Sequence, residues 1–169
     1  EQAAKTGDPK RFKLPRPMLG RTDPHFSFAG LKTAVRHAAK ATEPISPNDV
    51  ADLCAGFQAA VTDCVADRVG KAMELVRDTL PGPNRPFIVA GGVAANAALK
   101  AALLAVSAKH GFTFYAPPAA LCTDNAAMIA WAGAERLALG LTDSLDAPVK
   151  PRWPLDPDAP PAAGAGVKA

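Results

Sequence analysis

The 169-residue sequence has little of what marks several common classes of protein. It contains three cysteines, three histidines and 6% aromatic residues, and no apolar run reaches the ~18 residues of a membrane-spanning helix. Cys54 and Cys64 are predicted to share one helix about 15 Å apart, too far for a disulfide. These shortages exclude a disulfide framework and a membrane partner, and they predict a cytoplasmic, reducing location.

Charge is nearly balanced overall but is unevenly distributed. The net charge is +3, which by itself is no argument for nucleic-acid binding. Residues 1–21 carry six basic side chains against two acidic ones. Two interpretations of this segment stay open: a flexible, solvated start, or a contact with a phosphate backbone. The 49% hydrophobic content suffices for one domain with a core.

Punctuating prolines and glycines divide the chain into predicted elements. Residues 1–24 are expected to be irregular, and 26–40 to form a short strand followed by a helix. The run Ser46-Pro47-Asn48-Asp49 predicts a helix start, with proline at the first position and an acid at the third. This helix should extend to about Leu80. Its predicted core stripe recurs mostly at three or four residues and comprises Val50, Leu53, Phe57, Val61, Cys64, Val65, Val69, Met73 and Val76.

The first motif, GGVAAN at residues 91–96, follows an apolar run at 87–90. That run predicts a strand covered on both faces, and the helix after the motif should extend from about Ala94 to His110. Two glycines permit positive φ and a close approach of a ligand or another backbone. Asn96 can face a ligand or simply cap the helix. A lone Gly-Gly pair is a weak signal.

The second motif, CTDNAAM at residues 122–128, repeats this strand-to-helix arrangement. Residues 112–115 alternate and predict a strand, and a helix is expected from Asp124 to about Leu139, with Gly140 after its end. Thr123 or Asp124 can cap this helix, or Asp124 can be a metal ligand. Cys122 has no His or Cys at ligand spacing and is interpreted as a small apolar filler. Alternating helices and strands with polar residues at strand ends indicate an α/β domain.

Taken together, the two motifs resemble the carboxy-terminal half of the TsaD family, the tRNA N6-adenosine threonylcarbamoyltransferases. Three further segments match in order: RFKLPRP at 11–17, FSFAGLKT at 26–33 and PRWPL at 151–155. The resemblance implies part of an actin-like (ASKHA, ribonuclease-H-like) two-lobed fold, mostly one lobe. It assigns residues 1–145 to the second lobe and its returning helix. Residues 146–169 would be a carboxy-terminal segment ending in a disordered tail.

The resemblance also implies an activity. Family members transfer a threonylcarbamoyl group from threonylcarbamoyl-adenylate to N6 of adenosine 37, next to the anticodon, in tRNAs that read codons beginning with A. It places Asn96, Gly91 and Gly92 at the adenylate and makes Asp124 a ligand of one Fe2+ per full-length subunit. It implies TsaB- and TsaE-type partner proteins if the organism is bacterial. No residue of this chain is assigned as a general acid or base.

The family's other metal ligands, a His-x-x-x-His pair, have no counterpart here, because no two of His25, His37 and His110 are four apart. We therefore expect the chain to be a fragment that is inactive alone. Two alternatives stay open: a lobe of another actin-like ATPase or kinase, and a non-catalytic fragment that binds partners.

Overall fold

In the computed structural model, residues 1–80 and 82–148 are described. They contain four α-helices and two strands: α1 Leu31–Ala41, α2 Pro47–Val76, β1 Pro86–Ile88, α3 Ala97–His110, β2 Thr113–Tyr115 and α4 Ala126–Ala138. Short 3-10 turns cover Ala3–Lys5, Gly92–Ala95 and Ala119–Leu121. The chain divides into one compact unit, Glu1–Asn125, and a second that begins at Ala126. The predicted PRWPL motif and tail lie outside the described residues.

Helix α2 begins as its sequence predicts. The Ser46 hydroxyl accepts a hydrogen bond from the Asp49 backbone N–H at 3.2 Å, and the Asp49 carboxylate accepts one from the Ser46 N–H at 2.8 Å. This reciprocal pair is a capping box. The helix ends at Val76, four residues before the predicted Leu80, where Thr79 bonds back to the Val76 carbonyl through its N–H and hydroxyl. A local side-chain bond of this kind competes with the helical pattern.

The predicted core stripe of α2 is confirmed in part, and three of its positions, Val61, Val65 and Val69, are half-buried. Of its nine positions only Leu53, Cys64 and Met73 are buried, and Phe57 is 43% exposed. Small residues occupy the tightly packed face instead: Ala51, Ala55, Gly56 and Ala60 are all buried. They are buried because the amino-terminal segment lies directly on them.

The amino-terminal segment is irregular, as predicted, but it is fastened to α2 rather than solvated. Leu14 is buried with Leu31 and Ala60 in the main apolar cluster. A Cβ at Gly7 would overlap the Ala51 carbonyl, so the backbones touch there. At Gly56 a Cβ would lie 3.5 Å from the Leu14 side chain. Close backbone approach thus explains why this face of α2 is built from alanine and glycine.

Ion pairs and buried hydrogen bonds complete this attachment. Arg11 pairs with Asp49 and Asp52, and Arg16 with Asp63 at 3.0 Å. The buried Arg68 donates to the backbone carbonyls of residues 21 and 23. The bond from Arg11 lowers the pKa of the Asp52 carboxyl. Several basic charges of residues 1–21 therefore face carboxylates of this chain, which argues against the flexible, solvated start.

The predicted strand at Phe26 is wrong. Residues 24–28 form no ladder, and Phe26 and Phe28 are half-exposed. The Ser27 hydroxyl accepts a bond from the Ala29 N–H at 3.1 Å, which makes a local turn. Gly30, at φ 81°, then precedes α1. The alternating Phe-Ser-Phe pattern suggests a strand, but the described sheet offers it no partner.

The two strands pair in parallel and are joined by α3, so residues 86–115 form a βαβ unit. Phe87 lies opposite Phe114, with ring centroids 6.1 Å apart. We expected β1 to be covered on both faces. Among the described residues only the Phe87 side is half-buried, whereas Ile88 is 70% exposed. Both strand positions are confirmed, and the covering of the second face is not.

Helices α3 and α4 each start later than predicted. Helix α3 begins at Ala97, because the residues before Asn96 form a 3-10 turn. Helix α4 begins at Ala126, so Asn125 rather than Asp124 or Thr123 precedes its first residue. Gly140 follows α4 with φ 70° and donates to the Leu137 carbonyl, as predicted. None of the described helices is both long and apolar enough to cross a membrane.

Candidate nucleotide-binding and metal-ligand site

Both predicted motifs leave the same edge of the parallel sheet. The pairing of β1 with β2 continues one residue further, since the Val89 N–H donates to the Tyr115 carbonyl at 2.9 Å. The GGVAAN motif begins two residues after Val89, and the CTDN motif follows Tyr115 through the 3-10 turn Ala119–Leu121. The carboxyl edge of a parallel sheet is where α/β proteins bind ligands.

Gly91 and Gly92 have different conformational requirements. Gly91 has φ 83° and ψ 176°, a region open essentially only to glycine. Gly92 has no positive φ, and a Cβ built on it would meet no atom within 4 Å. Gly91 is therefore needed for the turn itself. Among the described residues, neither the packing nor the backbone conformation requires a glycine at position 92.

Asn96 caps α3. Its side-chain oxygen Oδ1 accepts a hydrogen bond from the Leu99 N–H at 3.0 Å. Its amide nitrogen Nδ2 donates to Oε1 of Gln58 on α2 at 3.4 Å. The capping role that the sequence left open is thus observed, and the amide also reaches a second helix. The sequence did not single out Gln58, because a contact across 38 residues leaves no local signal.

The first turn of α3 binds a carboxylate within the chain. The Ala97 N–H donates to the Glu1 carboxylate at 3.3 Å. Free N–H groups and the helix dipole favour negative charge at such a terminus. The contact shows that the first turn of α3 bonds an anionic oxygen.

Asp124 is exposed between Cys122 and the start of α4. Its carboxylate forms no hydrogen bond or ion pair within residues 1–80 and 82–148. Cys122, by contrast, is 3% exposed and its thiol donates to the Pro117 carbonyl at 3.6 Å. The prediction that Cys122 is a small buried filler is confirmed. Its thiol bond to Pro117 also fixes the backbone two residues before the exposed Asp124.

The residues fit one ligand of a metal site rather than a whole one. In the described part of the chain, no three His, Cys, Asp or Glu side chains come together. A structural or catalytic metal usually takes three or four protein ligands. Asp124 offers a carboxylate oxygen that forms no bond with the other described residues. It can therefore serve as one ligand of a metal ion whose other ligands come from outside the described residues.

The sequence model of the family tRNA N6-adenosine threonylcarbamoyltransferase, TsaD, matches residues 1–131. The chain is 60% identical to the protein of that name from Rhodospirillum rubrum, covering 100% of this chain and 47% of the relative. It is 56% identical to the one from Brucella anthropi (98% and 46%) and 57% identical to the one from Nitrobacter hamburgensis (97% and 46%).

These similarities give the chain part of an actin-like fold. Its helices and small parallel sheet correspond to part of one lobe of that fold. The chain belongs to the TsaD family. It spans about half the length of the curated relatives that it matches.

Proposed function

We propose that this chain is part of a tRNA N6-adenosine threonylcarbamoyltransferase. The proposed enzyme transfers threonylcarbamoyl from threonylcarbamoyl-adenylate to N6 of adenosine 37 in tRNAs that read codons beginning with A. The observation that carries the proposal is 56–60% identity over nearly the whole chain to relatives of that name. That similarity includes both motifs at the carboxyl edge of the sheet.

In this proposal Asn96, Gly91 and Gly92 hold the adenylate. Gly91 makes the turn after β1, and Gly92 leaves space for the ligand beside the backbone. The cap on Leu99 fixes the orientation of the Asn96 amide, so little rotamer freedom is lost when a ligand binds there. Positioning of this kind lowers the barrier of a transfer reaction by holding the carbonyl near its acceptor amine.

Asp124 is proposed as a ligand of the family's iron, with the remaining protein ligands outside this chain. A bound metal ion polarises a carbonyl oxygen as a Lewis acid, which assists attack by a weak nucleophile such as an adenine amine. The chain's own contribution is positional. Cys122 and the 3-10 turn hold the carboxylate at the surface, where the described residues leave it without competing bonds. Partner proteins of the TsaB and TsaE types belong to the same proposal.

The test uses the longest native polypeptide that carries this chain, supplied with iron, the partner proteins, threonylcarbamoyl-adenylate and unmodified tRNA. Mass spectrometry of the digested tRNA should show threonylcarbamoyladenosine. Asp124→Ala should abolish the product, whereas Asp78→Ala, at an exposed position outside both motifs, should not. Absence of product from the unaltered protein, or nucleotide hydrolysis without transfer, would refute the proposal and favour an actin-like ATPase.

A further inference from the structure

Helix α1 carries a row of basic side chains on its outer face. Lys32, Arg36 and Lys40 recur at every fourth residue, so they follow one another about 6 Å apart along one side of the helix. All three are exposed, as are the neighbouring Thr33 and His37. No aspartate or glutamate occurs from residue 24 to residue 42. We call Lys32, Arg36 and Lys40 the basic stripe.

The cations of the basic stripe have no partner within the described part of the chain. None of the three side chains forms a hydrogen bond or an ion pair with residues 1–80 or 82–148. Arg11 and Arg16 differ in this respect, because each pairs with a carboxylate of α2. Like charges four residues apart repel one another on a helix. An external polyanion would remove this repulsion.

The opposite face of α1 is already covered. Leu31 is buried with Leu14 and Ala60 in the main apolar cluster, and Ala34 and Val35 pack against that cluster. An amphipathic helix binds a lipid surface by burying its apolar face in the membrane. Because α1 has its apolar face packed inside the protein, only its charged face is free. Charge without free apolar surface favours a phosphate backbone over a lipid surface as the partner.

An apolar groove joins the basic stripe to the site of the two motifs. Lys32 lines this groove, which has a volume of about 230 Å³, together with Val35, Leu53, Cys54 and Phe57. Cys54 and Phe57 also line the cavity of about 170 Å³ that contains Asn96 and the Glu1 carboxylate. The groove and the cavity therefore adjoin. Because Glu1 disfavours a second anion in the cavity, the phosphate contact belongs at the Lys32 end.

We propose that the basic stripe binds the phosphate backbone of the substrate tRNA beside its anticodon loop. The inference rests on the proposed function, in which the RNA must lie across this region for its adenosine to reach the adenylate. Contacts to phosphates fix the register of a nucleic acid without reading its sequence. The basic stripe is thus a positioning surface. It determines the affinity for RNA and the salt dependence of binding, and it leaves the choice of base to the motifs.

The experiment measures the binding of an unmodified anticodon stem-loop RNA to the longest native polypeptide by fluorescence anisotropy, over a series of salt concentrations. Replacing all three residues of the basic stripe with glutamine should weaken binding by about tenfold or more. The slope of log affinity against log salt should fall by about 2 to 3, since each phosphate contact contributes about 0.7–0.9 to it.

The matched control removes the same net charge from elsewhere. Lys10, Lys100 and Lys109 are exposed and lie outside the basic stripe, so replacing all three with glutamine tests total charge alone. This control should change the slope by less than about 1. Equal losses in the two triple variants, or no loss in the stripe variant, would overturn the inference.

Two further variants cover the case in which the triple stripe variant fails to fold, as judged by circular dichroism. Arg36→Gln alone should lower the salt slope by about 1. Lys32→Arg combined with Lys40→Arg preserves both charges and should bind RNA within about twofold of the unaltered protein, because a backbone contact depends mainly on charge. An unchanged slope in the first variant, or a large loss in the second, would contradict the proposed contact.

Vesicles of phosphatidylserine and phosphatidylcholine test the other polyanionic partner. The unaltered protein should bind RNA through the basic stripe and should not bind these vesicles through it. Vesicle binding that is lost in the triple stripe variant, together with unchanged RNA binding, would overturn the inference in favour of a lipid surface.

Enzyme kinetics separate this inference from the proposed function. In a working transferase the triple stripe variant should raise the KM for tRNA and leave kcat unchanged, because backbone contacts stabilise the ground state and the transition state equally. A working transferase whose KM for tRNA does not rise would refute only the inference. A protein that makes no modified tRNA, yet binds RNA through the basic stripe, would refute the proposed function and retain the RNA contact.

Discussion

Substituting Gly91 and Gly92 one at a time separates the turn from the ligand contact. Gly91→Ala forces a Cβ onto a residue with φ 83° and ψ 176°, which costs about 1–3 kcal/mol of unfolding free energy. Gly92→Ala meets no atom within 4 Å and no positive φ. A compatible Gly-to-Ala change is neutral or stabilises by up to about 1 kcal/mol, because it restricts the unfolded chain. Alanine adds only one methyl group to glycine, so these two substitutions test whether the backbone conformation and the space beside each residue admit a Cβ atom.

In nucleotide binding, by contrast, Gly92→Ala should have a clear effect. If the adenylate approaches the backbone at Gly92, the added methyl group overpacks the site at a cost of about 1–3 kcal/mol. That corresponds to roughly a 5- to 150-fold rise in the Kd for AMP. The expected signature of Gly92→Ala is therefore weaker AMP binding in a protein whose stability is undiminished.

Two assays check this expectation. Urea unfolding followed by circular dichroism gives stability, and calorimetry on the longest native polypeptide gives the Kd for AMP. AMP binding by Gly92→Ala at the unaltered affinity would show that the ligand does not approach this backbone. A loss of more than 1 kcal/mol of stability in that variant would refute the conformational assignment itself.

Three further predictions concern other parts of the chain. Arg68→Met should lower the unfolding free energy by about 2–4 kcal/mol, since it leaves two backbone carbonyls and a carboxylate without their buried partner; urea unfolding checks this, and a loss as small as that of the exposed Arg136→Met would contradict it. The bond from Ser46 lowers the pKa of Asp49 in the folded state, so this stabilisation is complete above the unfolded pKa near 4 and is lost as pH falls through the lower folded value. Ser46→Ala should accordingly cost about 1 kcal/mol at pH 7 and flatten the decline in stability measured from pH 5 to pH 2. Asp124→Ala should remove most bound iron from the longest native polypeptide with little change in Tm, and full iron content by metal analysis would exclude Asp124 as a ligand.

Local chemistry alone determined where several elements begin and end. The Ser46–Asp49 box starts α2, and Gly140 terminates α4, because each signal acts within one turn of helix. Both strands also lie at the predicted positions, where prolines and glycines bound the two apolar runs. The strand proposed at Phe26 failed because strand formation needs a partner, and alternation along the chain does not supply one.

Tertiary structure decided which faces were buried and which polar groups met. The periodicity of α2 predicted a core stripe of large apolar residues, but the amino-terminal segment packs on its small residues, Ala51, Ala55, Gly56 and Ala60. Two backbones can approach closely only where the side chains between them are small. The basic residues at the start of the chain met carboxylates of α2 that lie about 40 residues away. The contact of Asn96 with Gln58 likewise depends on how α3 packs on α2. Sequence periodicity defines the faces of a helix, but it carries no information about which distant segment covers each face.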